Sequence, residues 1–153
     1  MDRQEIPNLY DDYARDVYRL ALSYLHNKHD AEDICQSVFL RLMEKNVVFL
    51  PGKEKAWLLT CTVNACKNHL KSFWKKHTQP IDENIVFTEE AQKELWSMLL
   101  SLPPKDRALI HLYYCEGYSQ EEIAGILGIS RTAVQTRMQR ARNLLKKELK
   151  TYE

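Results

Sequence analysis

The side chains best suited to chemistry in this chain are basic and amide groups near its C-terminus. From Ser130 to Lys150 there is one acid, Glu148, and seven basic residues: Arg131, Arg137, Arg140, Arg142, Lys146, Lys147 and Lys150. Guanidinium and ammonium groups bind phosphates, and glutamine or arginine can form two hydrogen bonds with a base edge. These types indicate contact with a nucleic acid, although a solvated basic helix face has the same composition.

The stretch from Tyr118 to Leu145 predicts two helices joined by a tight turn that would carry this basic surface. Ser119 can cap the first helix together with Glu122, and Gly128 can end it in the left-handed conformation. Ser130 can cap the second helix, whose apolar residues recur at helical spacing: Val134, Met138, Ala141 and Leu145. The pattern is typical of a helix-turn-helix, whose second helix enters the DNA major groove. An ordinary helical hairpin is the alternative.

A second basic surface is predicted on a long helix from Lys53 to about Lys76. The apolar residues of this helix should face a core: Leu59, Val63, Cys66, Leu70 and Phe73. Another face carries only amide and ammonium groups: Asn64, Lys67, Asn68, Lys71 and Lys75. Such groups suit phosphates and base edges, and Phe73 and Trp74 beside them could stack on unpaired bases. A solvated lysine stripe is the competing interpretation.

Further helices are predicted around these two regions. They span residues 8–25, Asp30 to about Lys45, residues 89–101, and a segment that begins at Pro104 and ends before Gly117. Asp30 is the expected N-cap of its helix, and a loop is expected at residues 46–53. With only four Gly and five Pro in the chain, the expected fold is all-α.

Charge divides the chain into separate parts. The formal net charge is only +1, which is low for a protein that binds DNA unaided. Residues 81–94 carry five acids and one Lys, and they separate the two basic surfaces. We therefore expect two small helical domains, residues 1–77 and 92–153, joined by a flexible acidic linker at 78–91, with the helix-turn-helix in the C-terminal domain. The low charge also indicates that a partner protein supplies part of the DNA affinity.

The remaining reactive residues form no recognisable catalytic or metal-binding motif. Four cysteines lie scattered without a CxxC pair, and we expect them to be reduced and mostly buried: Cys35, Cys61, Cys66 and Cys115. No catalytic residue, metal site or cofactor is predicted. No run approaches the ~18 apolar residues of a membrane span, and the polar N-terminus does not resemble a secretory signal. We therefore expect a cytoplasmic protein without membrane insertion.

Three segments, in order, resemble those of bacterial RNA polymerase sigma factors of the extracytoplasmic-function type, group 4 of the sigma-70 family. They are DAEDICQSVFLRL at residues 30–42, AWLLTCTVNACKNHLK at 56–71, and LPPKDRALIHLYYCEGYSQEEIAGILGISRTAVQTRMQRARNLL at 102–145. The resemblance covers nearly the whole chain. It implies the two-domain architecture of the small class, without the middle domain of larger sigma factors.

The resemblance implies that the protein binds core RNA polymerase, through the β′ coiled coil and the β flap, and directs it to promoter DNA. The positions that match the family's β′-binding helix are Asp33, Gln36, Phe39 and Arg41. The long helix and the loop before it, residues 46–55, would read and melt the −10 element. One base would flip into a pocket at Asn64, and nearby DNA would be held by Lys67, Asn68, Lys71 and Lys75. An anti-sigma factor is a further expected partner.

For the −35 element, the resemblance implies that the second helix of the helix-turn-helix faces the groove through Gln135, Thr136, Gln139 and Arg140. Phosphates would be bound by Arg131, Thr132 and Arg137. A glutamine on adenine or an arginine on guanine contributes ~1–3 kcal/mol of discrimination. Many family members have Arg or Lys at the position of Gln135, so its neutral amide implies an altered sequence preference or a weaker phosphate contribution.

Two other functions remain open from the sequence. A self-sufficient helix-turn-helix repressor or activator would bind its operator alone, usually as a dimer, yet no dimerisation segment is apparent. A Cys/His hydrolase or nuclease would need its five His and four Cys united in a motif, and no such spacing is present. The leading hypothesis is a non-enzymatic sigma factor that requires core polymerase.

Overall fold

The chain divides into two units, residues 1–82 and 83–153, called the N-terminal and C-terminal units below. The computed structural model describes residues 5–45, 49, 52–74 and 102–151. Within these residues all regular structure is helical, which confirms the all-α prediction. The predicted linker at 78–91 and the predicted helix at 89–101 lie outside them. A helix with the length and apolar character to cross a bilayer is not found in the described ranges.

The N-terminal unit is built from three helices: α1 (Glu5–Leu25), α2 (Lys28–Glu44) and α3 (Glu54–Trp74). Each packs on the other two, because each carries an apolar stripe at helical spacing. The buried residues include Val17, Leu20 and Tyr24 from α1, Val38, Phe39 and Leu42 from α2, and Leu58, Leu59 and Val63 from α3. This packing determines which faces of α2 and α3 remain exposed.

The start of α2 differs from the prediction. Asn27, not Asp30, is the N-cap: its backbone is extended, and its Oδ1 accepts a hydrogen bond from the Asp30 N–H at 2.9 Å. The reason is the tight connection from α1, in which His26 takes a left-handed conformation at φ 51° and leaves Asn27 at the cap position. Asp30 lies in the first turn, and its carboxylate pairs with His69 Nε2 of α3 at 3.2 Å.

The C-terminal unit contains α4 (Pro104–Ile110), a π-helical segment (His111–Cys115), α5 (Gln120–Leu127) and α6 (Arg131–Thr151). Pro104 lies in the first turn of α4, as predicted, where a missing N–H costs no hydrogen bond. After Ile110 the structure departs from the predicted single α-helix, because the helix widens. The Glu116 N–H then donates to the His111 carbonyl at 3.1 Å, and Gly117 leaves the helix at φ 74°.

The helix-turn-helix forms as the sequence predicts. The Glu122 N–H donates to Ser119 Oγ at 3.2 Å, and the Ser119 N–H donates to Glu122 Oε1 at 3.0 Å, which completes a capping box. Gly128 ends α5 in the left-handed conformation at φ 69°. Ser130 Oγ accepts from the Ala133 N–H at 3.0 Å and so caps α6. The two helices bury their predicted apolar faces at Ile123, Leu127, Val134, Met138 and Ala141.

Candidate nucleic-acid interface

The exposed face of α6 carries most of the residues predicted for −35 contact. Because Val134 and Met138 point into the core, helical geometry leaves the following residues exposed: Arg131, Thr132, Gln135, Thr136, Gln139 and Arg140. Gln139 Nε2 donates to Asn143 Oδ1 at 3.2 Å, so the amide of Gln139 is oriented along the helix. Asn143 is also exposed and belongs to the same polar surface, although the sequence prediction omitted it.

A buried carboxylate, which the sequence interpretation missed, holds two arginines of α6. Asp106 lies in the first turn of α4 and is 0% exposed. Arg137 Nη1 lies 3.2 Å from Asp106 Oδ1, while Arg140 Nη2 lies 3.0 Å from Oδ2 and 3.3 Å from Oδ1. A buried carboxylate is stable only when it is paired and hydrogen-bonded, so these bonds tie α6 to α4. The available sequence signal was an acid two residues before the apolar run at residues 108–110.

The two arginines differ in how much of each side chain remains accessible. The side chain of Arg137 is 26% exposed, and that of Arg140 is 52% exposed. Arg137, which the resemblance assigns to a phosphate, is therefore largely committed to Asp106. Arg140 uses only Nη2 in its bonds to Asp106, so its Nη1 and Nε remain as donors for a ligand.

Arg142 is one of the seven basic residues between Ser130 and Lys150, but its side chain contacts the π-helical segment. Its Cζ lies 5.9 Å from the centroid of the Tyr113 ring, a cation–π distance. The Tyr113 ring in turn packs edge-to-face on Tyr114, with centroids 4.9 Å apart. Arg142 therefore links α6 to the preceding segment, which is a structural contact that its sequence position did not indicate.

His111 provides a second ionic contact inside the C-terminal unit. Its Nε2 lies 3.4 Å from Glu116 Oε1. Burial lowers the pKa of His111, but the hydrogen bonds and charges of Cys115 and Glu116 outweigh this effect and raise the pKa from 6.5 to about 9. His111 is therefore protonated at neutral pH and stabilises the π-helical segment through Glu116.

In the N-terminal unit, α3 separates apolar from polar residues as its spacing predicts. Its buried side includes Leu59, Val63 and Cys66. The residues predicted for −10 contact are exposed or partly exposed at Asn64, Lys67, Asn68 and Lys71. Lys75 and the side chains of Phe73 and Trp74 lie outside the described residues. Helix α3 thus brings the amides and lysines to one accessible surface.

The loop before α3 touches that helix through an aromatic pair. The rings of Phe49 and Trp57 pack edge-to-face, with centroids 5.4 Å apart and an interplanar angle of 73°. The Trp57 N–H donates to the Lys53 carbonyl at 3.1 Å, where α3 begins. Residues 46–48, 50 and 51 of the predicted −10 loop lie outside the described residues.

The four residues predicted to bind polymerase differ in their exposure on α2. Asp33, Gln36 and Arg41 are exposed. Phe39, however, is only 5% exposed, and its ring packs edge-to-face on Tyr10 at 4.9 Å. Phe39 follows Val38 on the buried stripe of α2, so its ring is part of the core of the N-terminal unit.

Two exposed apolar residues on α2 were missed by the sequence interpretation. Leu40 is 56% exposed and Met43 is 57% exposed. They are three residues apart, so their side chains are neighbours on the helix surface. The signal was present in the pattern, because neither residue falls on the apolar stripe formed by Ile34, Val38 and Leu42. Together they form a candidate contact for a protein partner on an otherwise polar face.

The four cysteines are free thiols with different surroundings. Cys35 and Cys66 are buried and Cys61 is partly so, whereas Cys115 is exposed, contrary to the general expectation of burial. Burial raises the pKa of the Cys66 thiol and so disfavours its reactive thiolate. The described residues contain no cluster of His, Cys, Asp and Glu that could hold a metal ion.

The two units match two different family models. Residues 9–76 match Sigma-70 region 2, and residues 92–145 match Sigma-70 region 4. The first match includes α2 and α3, and the second includes the helix-turn-helix.

Individual relatives extend along most of the chain. It is 33% identical over 145 residues to the RNA polymerase sigma factor SigV of Bacillus subtilis, covering 90% of this chain and 87% of SigV. It is 30% identical over 151 residues to the ECF RNA polymerase sigma factor SigM of Bacillus subtilis, covering 92% and 93%. It is 31% identical over 147 residues to the ECF RNA polymerase sigma factor SigE of Mycolicibacterium smegmatis, but the chain spans only 57% of that relative's length.

Two solved structures have a similar fold. The sigma factor RpoE from Bartonella quintana, in complex with the anti-sigma factor NepR, has a TM-score of 0.77 at 22% identity, covering 96% of this chain and 98% of RpoE. CnrH, in complex with the cytosolic domain of CnrY, has a TM-score of 0.71 at 25% identity, covering 99% and 92%. Since both family models and relatives of similar length agree, the chain belongs to the sigma-70 family of RNA polymerase sigma factors, within its extracytoplasmic-function group.

Proposed function

We propose that this protein binds core RNA polymerase and directs promoter-specific initiation, with α6 reading the −35 element and α3 reading and melting the −10 element. The observation that carries the proposal is that both helices expose amide and cationic side chains without a carboxylate among them. On α6 this surface runs from Arg131 to Lys146, and on α3 from Asn64 to Lys71. Each surface lies in the unit that matches a different sigma region.

The polar surface of α6 has the chemistry of a major-groove reader. Gln135 and Gln139 each offer a donor and an acceptor on one amide, which suits the adenine edge. Arg140 retains guanidinium donors, which suit guanine, and Thr136 adds a hydroxyl whose hydrogen is donated to the Thr132 carbonyl at 3.0 Å. That hydroxyl therefore presents acceptor lone pairs outward. Arg131 and Thr132, near the start of α6, are positioned for phosphates.

The exposed surface of α3 suits a separated strand. A flipped base costs roughly a few kcal/mol of unstacking, which contacts in a pocket must offset. Asn64 can bond such a base, while Asn68 and Lys71, about one and two turns further along, can hold the adjacent backbone. The contact between Phe49 and Trp57 keeps part of the preceding loop against α3, where it could form one side of the pocket.

The outer face of α2 suits a helical protein partner, and we assign it to the β′ coiled coil of core polymerase. Leu40 and Met43 supply apolar area, and Gln36 lies one turn from Leu40 on the same side of the helix. Since about half of each apolar side chain is left to bury, each contributes ~1 kcal/mol. Asp33 and Arg41 provide flanking charges that fix orientation more than they add affinity.

A regulatory partner and the β flap complete the proposed set of contacts. RpoE of Bartonella quintana was solved with an anti-sigma factor, and this chain shares its fold. We extend the expectation of an anti-sigma partner to this protein, and we assign the β flap to its C-terminal unit. Acting on polymerase and chromosomal DNA, the protein would function in the cytoplasm and would itself catalyse no reaction.

In vitro transcription tests the proposal as a whole. Purified protein and core polymerase are mixed with a promoter library randomised at the −35 and −10 positions, and transcripts are sequenced. Defined sequences at both positions should be enriched only when protein and core polymerase are both present. Absence of enrichment would refute the proposal, and tight sequence-specific binding by the protein alone would favour the self-sufficient repressor or activator.

The polymerase contact has its own matched pair of variants. Met43→Ser should weaken binding to core polymerase about fivefold, because it removes exposed apolar area worth ~1 kcal/mol. Met43→Leu preserves that area and should bind as the unchanged protein does. Equal affinities for core polymerase in both variants would show that the partner docks elsewhere.

A further inference from the structure

We propose that Asp106 is a positioning residue for −35 readout: it fixes the guanidinium of Arg140, so that α6 presents this side chain to DNA in one geometry. The inference rests on the proposed role of α6 as the −35 reader, and it adds a residue that cannot reach DNA. Asp106 is 0% exposed and lies on a different helix from the reader. Its influence on base choice must therefore pass through the side chains that it holds.

The geometry ties Arg140 to an immobile group. Its Nη2 donates to both oxygens of Asp106, at 3.0 Å to Oδ2 and 3.3 Å to Oδ1. Asp106 lies in the first turn of α4, where its own N–H donates to the Pro103 carbonyl at 3.0 Å. Because the carboxylate is buried and its backbone is anchored, it cannot follow a moving guanidinium. The orientation of Arg140 is therefore set before DNA arrives.

Arg137 makes this arrangement resistant to displacement by phosphate. It bonds the same carboxylate at 3.2 Å and is 26% exposed, whereas Arg140 is 52% exposed. The two guanidiniums share one buried negative charge, so Asp106 keeps a second partner when DNA approaches Arg140. Arg137 is thus the anchor between α4 and α6. Arg140 can keep its bonds to Asp106 and still donate from Nη1 or from Nε to one acceptor of a base.

A fixed guanidinium discriminates bases better than a mobile one. An arginine that rotates can satisfy its donors with any nearby phosphate or acceptor, so it adds affinity without sequence preference. An oriented guanidinium bonds well only where a base acceptor, such as O6 or N7 of guanine, meets one of its remaining N–H groups. Loss of Asp106 would therefore lower the preference of α6 for particular bases. The affinity for DNA of any sequence would be unchanged or higher, because the protein loses one negative charge.

The test uses holoenzyme assembled from core polymerase and either the unchanged full chain or Asp106→Asn, which keeps the shape of the side chain and removes its charge. Binding is measured on duplexes from a library randomised at the −35 element. We expect Asp106→Asn to lower the preference at one or two −35 positions about tenfold. Binding to non-promoter DNA should be unchanged or tighter, with a steeper salt dependence. A purely structural role would instead weaken both kinds of binding together.

A double-mutant cycle shows whether the effect passes through Arg140. Arg140→Ala should abolish the same base preference, and adding Asp106→Asn to it should change that preference no further. An additional loss in the double variant would overturn the proposal, as would unaltered preference in Asp106→Asn. If the unchanged holoenzyme shows no −35 preference at all, the proposed function itself fails, which is a distinguishable result.

A measurement on the unchanged protein tests the proposal without relying on the folding of a variant. In NMR spectra of the full chain, the Nη hydrogens of Arg140 should give separate signals, because bonding at Nη2 slows rotation of the guanidinium. The exposed Arg131, whose guanidinium is not bonded to Asp106, should give one averaged signal. An averaged signal from Arg140 would show that Asp106 does not fix it and would overturn the proposal.

Discussion

The two helices proposed to meet DNA differ in how their side chains are held. On α6, Arg137 and Arg140 are fixed by buried Asp106, and Gln139 is oriented by Asn143. On α3, no hydrogen bond or ion pair within the described residues holds the side chains of Asn64, Asn68 or Lys71. A duplex presents its base edges at set positions and rewards donors fixed in advance, whereas a separated strand is flexible and can adjust to mobile side chains. The difference thus agrees with reading a duplex on α6 and holding a single strand on α3.

The ionic contacts between helices also differ between the two units. In the C-terminal unit, α4 and α6 are joined through a carboxylate that is 0% exposed. In the N-terminal unit, α2 and α3 are joined by Asp30 and His69, whose side chains are 15% and 28% exposed. Burial makes the first contact costly to break, and solvent weakens the second. The position of α6 therefore relies on a buried ionic contact in addition to apolar packing, whereas α3 depends mainly on apolar packing.

The largest expected effect tests that contrast directly. Asp106→Ala removes the charge-assisted hydrogen bonds of two guanidiniums, which are worth ~1.5–3 kcal/mol each, and should destabilise the C-terminal unit by ~3–5 kcal/mol. Asp30→Ala removes a partly exposed pair and should cost less than ~1 kcal/mol in the N-terminal unit. Hydrogen exchange with mass spectrometry, which resolves the two units, measures both values. Similar losses of stability in the two variants would show that the buried and the partly exposed ionic contacts do not differ in strength.

A smaller difference is expected in the response to pH. Cys115 and Glu116 raise the pKa of His111 to about 9, so its interactions with these two residues contribute stability that is fully present below pH 6.5. This contribution should be lost as the pH rises through about 9, and it amounts to at most about 3 kcal/mol. Hydrogen exchange at pH 6 and pH 9.5, corrected for intrinsic rates, should show weakening of the C-terminal unit. His111→Gln should abolish that pH dependence, and its persistence in the variant would assign the effect to another group.

Local features of the sequence predicted much of this architecture. The capping box at Ser119 and Glu122, the turn at Gly128 and the apolar spacing of α6 are determined by residues within a few positions of one another. Such patterns give the helix-turn-helix and the exposed faces of α3 and α6 without knowledge of the rest of the fold. The cap of α2 was placed on Asp30 instead of Asn27 because the left-handed conformation of His26 carries no sequence signal.

The tertiary contacts could not be predicted in the same way. Asp106 and Arg140 are separated by 34 positions, and no local pattern shows that they meet. The same limitation explains Phe39, whose motif position suggested a partner contact, whereas packing against Tyr10 places it in the core. Sequence therefore identified which surfaces are basic, and the structure was needed to show which of their arginines are committed within the protein.

The next prediction concerns Asn64 on α3. Asn64→Ala should slow promoter opening about tenfold, equivalent to ~1.4 kcal/mol, because the flipped base loses its amide contact. Permanganate reactivity of unpaired thymines near the −10 element measures opening, and binding of the closed duplex should be unaffected. Ser72→Ala, at another exposed position of α3, is the matched control. Equal opening rates for the two variants would remove Asn64 from the proposed pocket.

The smallest expected effect comes from adding or removing one charge on each surface. Gln135→Lys places a cation on α6 and should steepen the dependence of log K on log salt concentration by about 0.9, the value for one phosphate of duplex DNA. Lys71→Gln removes a cation from α3 and should flatten that dependence by about 0.7, the value for a single strand. The first change should appear with fully paired promoter DNA, whereas the second should appear only when the −10 region is unpaired, as in a pre-melted template. If Lys71→Gln alters binding to the closed duplex as much as Gln135→Lys does, both surfaces contact paired DNA, and the division of labour between α6 and α3 is wrong.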